Sequence, residues 1–473
     1  MSVDSAMTEA AGATVAAAAA TDRERADWLR TVADALDANA VDLVTLADEE
    51  TQLGEARLFG EVTRTTSQLR LFAEVVTEGS YIEAVIDHAR PEATPPLPDL
   101  RRLLRPLGPV AVFAASNFPF AFSVAGGDTA SALAVGCPVV VKAHPAHPKL
   151  SRRTAAIVER ALQGAGAPSG VFGMVEGFDS GPALVQHRAT TAVAFTGSTA
   201  GGRALFDLAV GRPDPIPFHG ELGSINPVVI FPAADEARGA ELAAGLVASL
   251  SLGAGQFCTK PGVVFVPRDS NTETAIDVEA TAPPMLTPAI RAAFDRGVDE
   301  LLATPGVDLI AGGRGAPLVL AADAATVIAN PLLLRTEVFG AVTLLVRYDD
   351  ASLTGALECL EASLTATVHA ESADDVRDIV TKLEHLAGRV LFDGWPTGVA
   401  VTWSQHHGGP WPATTSQFTS VGATAVRRFL RPIAYQSAPE ELLPPALREH
   451  NPLGIPRRVD GVLEPATAGE VRS

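Results

Sequence analysis

The chain has 473 residues, 47% of them hydrophobic and 19% charged, which excludes a disordered chain; at ~150 residues per domain it predicts two or three domains. A formal net charge of −19 repels phosphate backbones and anionic lipid, so no nucleic acid and no membrane surface is expected as a partner. Three cysteines without a CxxC pair exclude a disulfide framework and point to a reducing, cytoplasmic setting.

The first twenty residues carry Asp4 and Glu9 but no Lys or Arg, so the positive region of a signal peptide is missing. Their alanine run predicts a helix or a frayed arm. Thr21 and Glu24 have capping-box spacing ahead of Trp28, Val32 and Leu36, which share one helical face. Helical patterning continues from 40 to about 78. Extended runs at 81–86 and 100–104 flank a Pro-rich break and predict a hairpin with a long loop. Residues 109–127 are uncharged over nearly a membrane span, but Asn117, Pro119 and a Gly126-Gly127 pair interrupt them. A buried strand–loop–helix unit fits better.

From Val110 short apolar runs at 110–114, 139–142, 171–175 and 192–196 alternate with helical stretches at 124–135, 150–164, 181–187 and 200–210. That alternation predicts a parallel, doubly wound sheet, which binds ligands beyond the carboxyl ends of its strands. Asn117, Lys142 and Gly197 fall at those ends. A second α/β series begins near Gly223, with strands at 228–231 and 263–266 around a helix at 237–253. Residues 268–287 are polar and Pro-rich and predict a surface loop. The last forty residues predict an extended wrapping tail.

Several residues are candidates for chemistry, each with a plainer alternative. Cys258, in Gly255-Gln256-Phe257-Cys258-Thr259, sits at a turn; it is either an accessible nucleophile with amide donors nearby or an inert buried thiol. Cys137 and Cys359 read as core, the latter on an amphipathic helix. Glu221, between Gly220 and Leu222-Gly223 and ahead of an apolar strand, is a general base or a turn carboxylate. Asn117, just after a strand, is an oxyanion donor or a turn former before Pro119. Lys142 is one of only four lysines; it serves a specific amine role or snorkels to solvent. Gly197 and Ser198 follow a strand and open a helix, as a pyrophosphate site requires, without GxGxxG spacing. The ten histidines form no HExxH or comparable cluster, so no metal is predicted.

Taken in order, Ser-Asn-Phe-Pro (116–119), Lys142, Phe-Thr-Gly-Ser (195–198), Glu-Leu-Gly-Ser (221–224), Gly-Gln-Phe-Cys (255–258) and Glu-Val-Phe-Gly (337–340) resemble the aldehyde dehydrogenase superfamily over nearly the whole chain. The runs at 120–133, 142–148, 407–415, 429–432 and 451–457 are similar to the 2,5-dioxovalerate (α-ketoglutaric semialdehyde) dehydrogenase branch, which also holds a bacterial long-chain aldehyde dehydrogenase.

The resemblance implies an α/β fold with a Rossmann-type cofactor domain (1–79 and 103–221) and an α/β catalytic domain (222–415). It also implies a small β oligomerisation element (80–102 and about 416–440), a C-terminal tail (441–473), and a homodimer or homotetramer. By it, Cys258 attacks a small-molecule aldehyde, Asn117 and the Cys258 N–H hold the oxyanion, and Glu221 activates water. Lys142 meets the adenosine ribose, with His144 or His147 as a hydrogen-bond donor to a 2′-phosphate there, Gly197 and Ser198 meet the pyrophosphate, Glu337 the nicotinamide ribose, and Phe339 the nicotinamide. Many members carry a glutamate three residues after the lysine. Here Pro145 stands there, which implies NADP, with NAD as the alternative. The 258–337 segment is shorter than usual, and Trp403 is unusual for the branch. The implied reaction is 2,5-dioxopentanoate to 2-oxoglutarate. The alternatives are a longer aliphatic aldehyde, which Trp403 and Trp411 would suit, and a non-catalytic relative, which the presence of Cys258 and Glu221 opposes.

Overall fold

The computed structural model describes residues 1–278, 281, 283–313 and 315–466. Four helices open the chain: α1 (Val3–Ala19), α2 (Asp22–Ala38), α3 (Ala40–Thr51) and α4 (Glu55–Glu78). The alanine run is the helix α1, burying Met7, Ala10, Ala13 and Ala17. At α2 the capping box forms. The Thr21 N–H donates to the Glu24 carboxylate at 2.7 Å, and the Glu24 N–H donates to the Thr21 hydroxyl at 3.2 Å. Trp28, Val32 and Leu36 then join Leu69, Phe72 and Val76 of α4 in the largest core.

A hairpin follows, β1 (Ala84–Asp87) antiparallel to β2 (Leu100–Pro106). The first α/β unit contains β3 (Val110–Phe113), α5 (Gly127–Ala134), β4 (Val139–Lys142), α6 (Pro148–Gly164), β5 (Phe172–Val175), α7 (Ser180–Gln186), β6 (Ala192–Thr196), α8 (Thr199–Val210) and β7 (Phe218–Glu221). Its strands are all parallel, in the order β5-β4-β3-β6-β7. Every residue of β3 is buried, because helices cover both faces of such a sheet. The chain winds outward from β3 in both directions, so a crevice opens at the carboxyl ends of β3 and β6.

The second unit begins with β8 (Pro227–Ile230), α9 (Pro232–Ser251) and β9 (Val263–Pro267). It continues with β10 (Val307–Ala311), β11 (Leu318–Asp323), β12 (Val342–Tyr348), β13 (Ser363–His369) and β14 (Ala387–Phe392). These form a seven-stranded sheet ordered β10-β11-β12-β9-β8-β13-β14, in which only the pairing of β10 with β11 is antiparallel. Its strands from β10 onward carry no local signal that sequence reading used. The C-terminal segment gives β15 (Leu430–Gln436), β16 (Arg457–Val459) and β17 (Val462–Glu464). These join the hairpin in a third sheet, β15-β2-β1-β16-β17, with β16 parallel to β1.

Glu221 lies ahead of the apolar β8, as expected, and also ends β7, within the first sheet. Two local expectations change. Residues 268–287 are not simply a surface loop. The turn Asn271–Thr274 is pinned to the buried Asp235, which accepts from the Ser270 hydroxyl at 2.7 Å and the Thr272 N–H at 2.9 Å. Cys359 lies in a turn just after the helix Leu353–Leu357, not on it, and is buried. Among the described residues no helix is long and apolar enough to cross a membrane, and no group of His, Cys, Asp and Glu could hold a metal.

Candidate active site

The carboxyl ends of β3, β4 and β6 present the loop with Asn117, then Lys142, then Gly197 and Ser198. Lys142 is half-buried, which lowers its pKa, and among the described residues its amine makes no hydrogen bond or ion pair. His144 accepts the Ala146 N–H at Nδ1 (3.1 Å), which leaves Nε2 as a donor. Burial, with the charges of His147 and Lys142, pushes its pKa down to about 3, so that donor is neutral. His147 is a structural residue: buried, with Nε2 3.0 Å from the Ala115 carbonyl and Nδ1 3.2 Å from the Ser151 hydroxyl.

Ser198 caps α8, accepting the Gly201 N–H at 3.2 Å, and the first turn of that helix is solvent-exposed. A cation without a partner among the described residues and an exposed helix N-terminus together suit a dinucleotide. Glu337 reaches the same place from the second unit, its carboxylate against Gly223, where a Cβ would collide with it and with the Thr199 hydroxyl. Burial raises the Glu337 pKa, and Lys260 opposes the rise. Phe339 lies two residues on, half-buried.

The thiol loop is wound tightly. Gly253, Ala254 and Gly255 all have positive φ, and a side chain at Gly255 would strike the backbone of Gly340 and Ala341. The buried Gln256 holds this turn, donating from Nε2 to the Gly253 carbonyl (3.0 Å) and accepting the Leu286 N–H (3.0 Å). Asn117 donates from Nδ2 to the Gln256 carbonyl at 2.9 Å, which places it beside the loop with one amide hydrogen still available. Asn226, buried and at φ 56°, donates to the carbonyls of Cys258 (2.7 Å) and Lys260 (2.9 Å). The carbonyl of its side chain accepts from the Ser224 hydroxyl at 2.6 Å. Asn226 was not singled out in the sequence, because an Asn before a Pro is common in turns.

Cys258, partly exposed, faces His407, the first residue of the 407–415 run, to which the sequence assigned no role. Its Sγ lies 3.7 Å from His407 Nε2, and that nitrogen lies 3.6 Å from Glu221 Oε2. His407 is brought there by residues 413–415, which run along the end of β7. The Leu222 N–H donates to the Ala413 carbonyl at 2.8 Å, and the Thr415 N–H donates to the Gly220 carbonyl at 3.1 Å.

Burial disfavours the charged form of all three groups. The thiol is pushed up to about 12 by burial, with Glu221 and Glu337 adding to the rise and Arg64 opposing it. Burial also raises Glu221 well above the usual carboxylate range. His407 falls to about 3 through burial and the charges of Arg389 and Arg64. The thiol and the carboxyl thus meet at one imidazole nitrogen, which sets a nucleophile and a base within reach of one reacting carbon. The aromatic wall beside them is Phe118, Phe122 and Phe257. Trp403 and Trp411 stand half-exposed, and Trp411 packs on Arg203 and Phe206 of α8.

The chain is similar to known proteins over most of its length. The aldehyde dehydrogenase family profile matches residues 1–410. The chain is 48% identical to the alpha-ketoglutaric semialdehyde dehydrogenase 2 of Azospirillum brasilense over 460 residues (93% of this chain, 87% of the relative). It is 44% identical to the alpha-ketoglutaric semialdehyde dehydrogenase of Acinetobacter baylyi over 461 residues (94% and 88%). Its fold overlays on the betaine aldehyde dehydrogenase of Staphylococcus aureus with a TM-score of 0.77 at 19% identity (92% and 88%). It spans less than half, 44%, of the longer Bradyrhizobium japonicum proline utilization A chain on which it also overlays. The chain belongs to the aldehyde dehydrogenase family and is an oxidoreductase acting on aldehydes.

Proposed function

We propose that the protein oxidises 2,5-dioxopentanoate to 2-oxoglutarate with NADP, through a thioester on Cys258. The observation that carries this reading is the meeting of the Cys258 thiol and the Glu221 carboxyl at His407 Nε2, with Asn117 anchored beside them. The names of its relatives supply the substrate.

Cys258 bonds to the aldehyde carbon through Sγ as the thiolate, its proton lost to solvent at the partly exposed loop. The Asn117 amide and the Cys258 N–H steady the oxyanion; one such donor typically contributes ~3 kcal/mol to the barrier. A nicotinamide cofactor, when bound, would supply the two-electron oxidant for the thiol-bound carbon, which would leave a thioester on Cys258. Glu221, once ionised, takes a proton from the water that cleaves the thioester. Lys142, His144, Gly197, Ser198, Glu337 and Phe339 hold the cofactor, within a domain made of residues 1–79 and 103–221. Initial rates with a panel of aldehydes, each with NAD and NADP, test the reading. A better rate with a long aliphatic aldehyde than with the oxo acid overturns the substrate assignment.

The cofactor preference has a local cause. A carboxylate at position 145 would face the 2′-phosphate; a like-charge pair at ~4 Å and an effective dielectric near 20 costs roughly 4 kcal/mol before screening. Pro145 carries no charge, and Lys142 has no competing partner. NADP is expected to be used at least as well as NAD, and Pro145→Glu to reduce or reverse the ratio of kcat/KM values. A wild-type preference of about tenfold or more for NAD would assign the choice to another residue.

The third sheet supports assembly into a dimer or tetramer. Among the described residues neither edge strand, β15 nor β17, is paired on its outer side, and Val462 and Leu463 of β17 are 68% and 64% exposed. Open apolar edges invite pairing with a second chain. Light scattering is expected to give a multiple of the 49.0 kDa chain mass, and a monomer at micromolar concentration would overturn the assembly. Three free thiols suit a reducing cytoplasm.

A further inference from the structure

Helix α4 lays Arg57, Glu61 and Arg64 along the face that meets the Asn117 loop. Two of the three have a structural task. The Arg57 guanidinium donates to the Asn117 carbonyl at 2.7 Å. Glu61 accepts the N–H groups of Phe120 and Ala121 at 2.8 and 3.0 Å. Arg64 has no such task. Its Nε and Nη2 are buried and meet no acceptor among the described residues. Its guanidinium is held flat by two rings, with Phe118 and Phe122 centroids 5.6 and 5.3 Å away. Phe122 in turn lies 6.5 Å, centroid to centroid, from His407, whose Nε2 touches the thiol.

A second guanidinium approaches from β14. Arg389 gives Nη1 and Nη2 to the Gly398 and Pro396 carbonyls at 3.0 and 2.8 Å, while its Nε is buried and unmatched. The charges of both arginines reach Cys258 and His407. On α4 one carboxyl, Glu61, stands beside Arg57 and Arg64, and Glu221 and Glu337 lie near the thiol. Burying a guanidinium with unmatched N–H groups is costly, and a carboxylate relieves that cost through two parallel charge-assisted hydrogen bonds.

We infer that Arg64 is the specificity-determining residue of this site, binding the carboxylate of a short aldehyde acid while the aldehyde carbon lies at Cys258. Arg389 adds its field to the same anion. The inference rests on the oxo-acid reading above and deepens it. It explains how aromatic walls that would suit an aliphatic aldehyde select a charged one. Phe118 and Phe122 hold the guanidinium in place as well as contacting the substrate's carbon chain.

The test compares kcat/KM for 2,5-dioxopentanoate with kcat/KM for pentanal, an uncharged aldehyde of the same chain length, in wild type, Arg64→Met and Arg64→Lys. The ratio is expected to fall about 100-fold or more in Arg64→Met, chiefly through KM for the oxo acid, with partial recovery in Arg64→Lys. Competitive inhibition by glutarate, which has the same carbon number and a carboxylate, is expected to weaken in parallel. If Arg64→Met does not fold, Arg64→Lys and Arg64→Gln supply the ratio. An equal fall for both aldehydes would assign Arg64 a structural role and overturn the inference. So would an unchanged ratio in a wild type that prefers the oxo acid, with the substrate reading left standing. A wild type that favours pentanal overturns both.

Discussion

Cys258→Ala is expected to lower kcat by about 10⁴-fold or more while leaving the fold and cofactor binding intact. The size of the loss follows from chemistry. Oxidation of an aldehyde by hydride transfer needs a tetrahedral carbon first, and the thiol is the group at the centre of this site that can form one and later leave as a thioester. The fold should survive because the thiol carries little of the packing. Cys258 is partly exposed, its nearest polar contact is the long 3.7 Å approach to His407, and its loop is held by Asn226 and Gln256 instead. Alanine keeps the backbone carbonyl that Asn226 binds. Steady-state rates together with cofactor titration by fluorescence check this. Appreciable turnover by the variant would show that the thioester route is wrong.

Glu221→Gln is expected to keep a pre-steady-state burst of reduced cofactor and to slow steady turnover by about 10²–10³-fold, the usual contribution of a positioned general base. The reason is the order of events. The burst needs the nucleophile, and the base is needed only when water attacks the thioester. The pH profile gives a second, independent readout. Burial raises the Glu221 pKa well above the ordinary carboxylate range; Asp128 adds to the rise and Arg428, which is paired with Asp128 at 2.7 Å, opposes it. A base acts only when ionised, so kcat should climb as pH rises through that elevated pKa and then level off. Glutamine does not ionise, so this limb should vanish from kcat in the variant. His407, held down to about 3, contributes no limb near neutrality. The thiol, pushed up to about 12, places its limb in the burst rate at alkaline pH, and glutamine leaves that limb in place. Loss of the burst along with turnover would move Glu221 to a step before hydride transfer.

Much of the architecture was legible because it depends on neighbours in the chain. The Thr21 capping box, the all-apolar β3 and β4, and the helix α6 follow from spacing and side-chain type. Strands alternating with helices lead to a parallel sheet whose carboxyl ends carry Asn117, Lys142 and Ser198. The ordered motifs identified Cys258 and Glu221 in the same way, since each sits in a short run with its own glycines.

The pairing of these residues was decided only by tertiary structure. Glu221 reaches the thiol as the last residue of β7, paired with β6, a placement that needs a strand partner and not a sequence signal. His407 lies 149 residues from Cys258 and arrives through hydrogen bonds between residues 413–415 and the end of β7. A lone buried histidine in a Gly-rich run has no periodicity to distinguish it. Arg64 reads in the sequence as a polar residue on an amphipathic helix; that its guanidinium is left without an acceptor between two phenylalanines depends on how α4 packs against the Asn117 loop. Local sterics and hydrophobic period fix each element. The charge state and neighbours of the site arise from burial where distant segments cross, and burial belongs to the assembled molecule.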